Sequence, residues 1–89
     1  MCYVFMETEF IKSFKHVTLF DMLVLKAIAD AGGAARNADL AEALGVDHTA
    51  IIAAIRKLSM HGLVEVEPRR GYKITPKGQA FLREVAERL

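Results

Sequence analysis

Asn37-Ala38-Asp39-Leu40-Ala41-Glu42-Ala43-Leu44-Gly45-Val46-Asp47-His48-Thr49-Ala50-Ile51-Ile52-Ala53-Ala54-Ile55-Arg56-Lys57-Leu58-Ser59-Met60-His61-Gly62 holds two helical patterns separated by one turn. The first covers residues 38–44, with Asn37 as N-cap, Asp39 in the first turn and Leu40, Ala41 and Leu44 as the apolar stripe. Gly45 supplies the left-handed position that reverses the chain, and Val46 follows as an apolar plug. Asp47 caps the second pattern, residues 48–61, in which Ile51, Ala54, Ile55 and Leu58 recur at i, i+3, i+4 and i+7. Gly62 ends it. Two short helices joined by a tight glycine turn predict a helix-turn-helix unit.

Upstream, Thr18 with Asp21 three residues on forms a capping pattern for a helix over residues 19–31, which Gly32-Gly33 stops. Leu19, Phe20, Met22, Leu23, Val24, Leu25, Ala27 and Ile28 make it apolar nearly all round. Such a helix is either central or shared with a partner. Residues 1–17 form an N-terminal extension, in which Tyr3, Val4, Phe5 and Met6 are a short apolar run. Phe10, Ile11 and Phe14 suggest a brief amphipathic helix.

Downstream of Gly62 the period changes to alternation, with Val64 and Val66 on one side and Glu65 and Glu67 on the other. Pro68-Arg69-Arg70-Gly71 is a turn, and Tyr72 and Ile74 return on the apolar side with Lys73 opposite, placed to pair with a strand glutamate. Thr75 caps a last helix with Pro76 in its first position, and Phe81, Leu82, Val85 and Leu89 point inward. The expectation is a mainly α domain over residues 18–89, with a small β-hairpin as a wing beside the helix-turn-helix.

Composition narrows the function. Eighty-nine residues make one domain with a thin core. At 53% hydrophobic and 26% charged residues the chain is globular rather than disordered. No apolar run approaches a membrane span, and Glu7 and Glu9 disagree with a signal peptide. The single Cys2 excludes an internal disulfide, so a cytoplasmic setting is expected. Three scattered histidines and one cysteine show no metal-ligand spacing. There is no phosphate loop, metalloprotease motif or nucleophile elbow, and the expectation is a protein without enzymatic activity or cofactor.

The net charge of +1 hides a gradient: residues 1–45 carry −2, residues 46–89 carry +3, and residues 56–77 carry +4. A local excess of this size can seat a phosphate backbone, although the chain as a whole is far from strongly basic.

Leu40-Ala41-x-x-Leu44-Gly45-Val46, followed by Ile51, Ile55, Leu58 and His61-Gly62-Leu63-Val64, and then by Tyr72-Lys73-Ile74-Thr75-Pro76-Lys77-Gly78, resembles the winged helix-turn-helix of small bacterial and archaeal transcriptional regulators. The resemblance is nearest the MarR and PadR groups and covers about residues 18–89. It implies binding to double-stranded DNA, with the second helix of the pair in the major groove and the first crossing the backbone, its amides near Asn37 offered to a phosphate. Arg69 and Arg70 at the wing tip would lie on the backbone or in the minor groove, with Lys73 behind them. His48, Thr49, Ile52 and Ala53 would face the bases, and Arg56 and Lys57 would reach DNA from the later turns.

The pattern departs from that family in two respects: the wing is short and lacks the Asp-rich, Arg-rich pattern of typical MarR wings, and the second helix of the pair is unusually apolar on its outer side. Ile52 and Ala53 stand where relatives usually place hydrogen-bonding side chains. They can touch thymine methyl groups but cannot make the paired hydrogen bonds that distinguish bases. A protein-docking winged helix, or an architectural DNA binder without strong sequence preference, therefore stands beside the regulator as an alternative. The plain alternative for Arg69 and Arg70 is that they only solvate a turn, and for His48 that it only sits at a surface. The excess of apolar residues from Tyr3 to Leu23 predicts a homodimer joined through the N-terminal segment, the helix over 19–31 and the last helix.

Overall fold

The computed structural model describes Lys12 and residues 15–88. Cys2, the apolar run at 3–6, the helix expected around Phe10, Ile11 and Phe14, and the inward position at Leu89 all lie outside the described residues. Helix α1 (Leu19–Asp30) opens with the expected capping box: Asp21 N donates to Thr18 Oγ1 at 3.2 Å, and Thr18 N donates to Asp21 Oδ2 at 3.1 Å. Val17, one residue before the cap, is already buried in the core. Of the apolar residues around α1, Val24, Leu25 and Ile28 are fully buried, whereas Leu19 and Leu23 are exposed.

Strand β1 (Ala34–Ala35) follows, then α2 (Asn37–Leu44) and α3 (His48–Met60). Gly45, at φ 66°, makes the turn between the two helices, and the next amide, Val46 N, donates back to Ala41 O at 3.0 Å. The inner stripe of α3 is Ile51, Ala54, Ile55 and Leu58, all buried as the spacing predicts. It packs on α1 and α2.

Strands β2 (Val64–Glu67) and β3 (Gly71–Ile74) form the wing, and α4 (Pro76–Arg88) closes the fold. Thr75 caps α4 as expected: Gly78 N donates to its Oγ1 at 3.0 Å, while that hydroxyl donates to Gly62 O at 2.7 Å. Phe81 is fully buried and Val85 nearly so. Gly78 is demanded by close packing, since a Cβ there would strike the Leu63 carbonyl oxygen and the Ile74 side chain. No described helix is long and apolar enough to cross a membrane.

Three expectations need correction. The sheet has three strands, not two, in the order β1-β3-β2, because Ala34 and Ala35 pair antiparallel with Lys73 and Tyr72. Two residues carry no readable period, so this strand exists only through its partner. Asn37 is the first residue inside α2 rather than its cap: Arg36, held extended by the adjoining strand, takes the cap position and no side chain caps the helix. Val66 is 53% exposed although it shares a side with buried Val64. Val64 lies opposite Ile74 over the core, whereas Val66 lies opposite Tyr72, nearer the wing tip.

Candidate nucleic-acid interface

Helix α3 shows two unlike faces. Its outer face carries Thr49, Ile52, Ala53, Arg56 and Met60, all exposed, with Ile52 at 47% and Met60 at 80%. Its sequence contains no carboxylate. Exposed apolar side chains in a contiguous patch need an explanation, because scattered ones do not.

The wing stands beside this face. A groove of about 410 Å³ runs between them, with Ile52, Arg56 and Met60 on the helix side and Val66 and Tyr72 on the sheet side. At the tip, Arg70 N donates to Glu67 O at 3.1 Å, and Arg69 occupies the left-handed region at φ 69°. That position in a turn normally goes to Gly or Asn, so an arginine there is held against its backbone preference. Arg69, Arg70 and Lys73 are all exposed. Lys73 lies across from Glu65 in register, as the alternation predicts.

Asn37 has a different task from the one the sequence suggests. Its Nδ2 donates to the His48 carbonyl oxygen and to the Tyr72 hydroxyl, each at 3.3 Å. The first turn of α3 and the middle strand of the wing are thereby held by one side chain. Its Oδ1 is buried without a hydrogen-bond partner.

Lys57 stands at the edge of the outer face, beside Ala53, Arg56 and Met60, and is held there in an ion pair. Its Nζ lies 3.3 Å from Oδ2 of Asp21, whose side chain is only 5% exposed. That carboxylate also accepts the Thr18 amide, so a buried charge is compensated twice. The pair ties α3 to the start of α1.

At the far end of α3, the rings of His16 and His61 stack with centroids 5.8 Å apart. The pKa of His61 is lowered by burial first, then by His16, Lys77 and Lys57, with Asp21 opposing. Among the described residues, no group of three or more His, Cys, Asp or Glu side chains is arranged to hold a metal ion.

The structure therefore brings Ile52 and Arg56 to the groove that faces Val66 and Tyr72, with His48, Thr49 and Ala53 exposed on the same helix. Arg70 and Lys73 line a separate hollow with Ala34 and Gly71, Arg69 is exposed in the turn, Asn37 bridges α3 and β3, and Lys57 is ion-paired. Sequence reading missed Arg36. It is exposed, and its Cα lies 3.0 Å from where a Cβ of Gly71 would stand, so β1 brings this residue against the tip end of β3. Tyr72 was read only as an inward strand residue, and its hydroxyl contact with Asn37 had no local signal.

Away from α3, helices α1 and α4 leave an apolar groove of about 470 Å³, lined by Leu19, Met22, Leu23, Leu82 and Val85 among others.

Residues 19–73 match the family described as PheRS DNA binding domain 1. The chain is 36% identical over 56 residues to transcriptional regulator MntR of Escherichia coli O157:H7, and 34% identical over the same length to MntR of Salmonella typhimurium. Each alignment covers 63% of this chain, which spans about a third, 36%, of those relatives' length. Among solved structures, a Pseudomonas aeruginosa PA01 protein provisionally assigned as a transcriptional regulator superposes with a TM-score of 0.72 at 23% identity. That match covers 90% of this chain and 62% of the other, and it bears out the winged-helix fold.

Proposed function

Because the chain belongs to the PheRS DNA binding domain 1 family, we propose that it is a DNA-binding transcriptional regulator acting in the cytoplasm. Helix α3 enters the major groove and the β2–β3 wing tracks the backbone or the minor groove. The observation that carries this reading is the carboxylate-free, exposed outer face of α3 set beside the cationic wing tip. His48 and Thr49 meet base edges at the N-terminal end of the helix. Arg56, Arg69, Arg70 and Lys73 neutralise phosphates, joined by Arg36 beside the tip end of β3. The uncapped first turn of α2, beginning at Asn37, turns its free amides toward a phosphate.

The regulator works as a homodimer, with residues 18–89 as the DNA-binding domain and residues 1–17 taking part in the dimer contact. The α1–α4 groove and exposed Leu19 and Leu23 support this arrangement. Two-fold symmetry would set two α3 helices one DNA turn apart, about 34 Å. Light scattering at micromolar concentration tests it: a dimer mass is expected, and a monomer mass removes the proposal.

Titration of a duplex across a salt series tests DNA binding. Affinity is expected to fall steeply with salt, with a log–log slope of about −0.9 for each phosphate neutralised. Replacing Arg69 and Arg70 together by Ala flattens that slope by about two. An unchanged slope removes the wing from the interface. Absence of binding at tens of micromolar at low salt favours a protein-docking role, which the exposed Ile52, Met60 and Val66 would then serve.

A further inference from the structure

Thr49, Ile52, Ala53 and Arg56 fall at i, i+3, i+4 and i+7 and form one exposed stripe on α3. Only its ends are polar; the middle is hydrocarbon. Amide-bearing side chains, which read adenine through paired hydrogen bonds, are missing from all of α3, and so are the carboxylates that would accept from cytosine. Ile52 and Ala53 can recognise only one feature that bases display in the major groove, the C5-methyl group of thymine. The exposed cations of the helix and the neighbouring sheet, Arg56 in the same groove and Arg36, Arg69, Arg70 and Lys73 on the wing and beside it, complement a polyanion rather than an apolar protein surface.

We infer that the Ile52–Ala53 step is a thymine-methyl reader, so that this chain prefers A·T-rich duplexes through direct contact with methyl groups. The inference rests on the proposed DNA-binding function and specifies which bases it selects. Thr49 adds its own methyl group or hydroxyl on the N-terminal side, while Arg56 holds the backbone flanking the patch. Ile52 remains half exposed in the free protein because its apolar partner arrives with the ligand.

The test uses the full chain and two 24-base-pair A·T-rich duplexes of identical sequence, one containing thymine and the other uracil at every such position. The replacement removes methyl groups and leaves every donor and acceptor in place. Wild type is expected to bind the thymine duplex about threefold to fivefold more tightly for each methyl group seated, from the free energy of burying one such group. Ile52→Ala, at an exposed position, keeps the fold; it is expected to lose most of that preference, its thymine-to-uracil affinity ratio falling toward one. Equal affinity of wild type for both duplexes overturns the inference and leaves DNA binding standing. A thymine preference that survives undiminished in Ile52→Ala also overturns it, since the methyl groups would then act through duplex shape. Failure to bind either duplex at low salt removes the DNA-binding reading itself.

Discussion

The two faces of α3 both carry aliphatic side chains, which have opposite fates. Ile51 and Ile52 are chemically identical neighbours, yet Ile51 is fully buried and Ile52 is half exposed. The inner isoleucine holds α3 against α1 and α2, and the outer one touches no core. Hydrophobicity alone therefore does not mark the interior; helical phase does, and an apolar residue out of phase with the core points to a surface with another use.

Paired substitutions can break this comparison. Ile51→Ala is expected to lower unfolding free energy by about 2–4 kcal/mol, because it leaves a cavity among packed neighbours. Ile52→Ala is expected to change it by no more than about 0.5 kcal/mol. Urea titrations of both variants decide the matter, and an equal loss would mean that Ile52 is buried in the assembled protein. A comparable effect is expected at the wing. Gly71 has φ 102°, and a Cβ there would stand 2.5 Å from the Ala35 carbonyl oxygen, so Gly71→Ala should cost about 2–3 kcal/mol and displace β1 together with Arg36. Its signature is lost stability and weaker DNA binding together, which neither face of α3 should show alone.

Lys57→Met falls between the two classes. It strands the Asp21 carboxylate in the interior, but Lys57 is itself 42% exposed, so a loss of about 1–2 kcal/mol is expected. Adding Asp21→Asn should recover part of that loss in a double-mutant cycle, while the salt dependence of DNA binding stays unchanged. At the wing tip, Arg69→Gly should raise stability by up to about 1 kcal/mol by relieving the left-handed backbone. It should also remove about one unit of salt slope, so stability and affinity move in opposite directions.

The smallest effect is expected from pH. The folded-state pKa of His61 lies below its ordinary value of 6.5, chiefly through burial and then through His16, Lys77 and Lys57. The unfolded chain therefore takes up a proton that the folded one resists. This contribution is fully present above pH 6.5 and is lost as pH falls through the folded-state value. Thermal melts between pH 7.5 and 5.5 should show a declining midpoint, with a shallower decline in His61→Asn.

Much of the fold is legible because its signals are local. Thr18 with Asp21, Thr75 with Pro76, and the stripe from Ile51 to Leu58 each specify their element within a few residues. The outer positions of α3 follow from the same phase. Tertiary pairing wrote the rest. Strand β1 is ordered by β3 some forty residues later, and Arg36 reaches the wing only through it. Asp21 reads as a helix cap and does act as one, but nothing near it announces Lys57. Asn37 has a residue type suited to capping, and a longer-range contact claimed it instead.

That asparagine has a mechanical consequence. By fastening the tip of one rod to the ribbon beside it, a single amide sets the gap between two probes before any ligand arrives. A duplex whose furrows are spaced differently must then bend itself to fit, and the rigidity of that duplex becomes a quantity the protein senses.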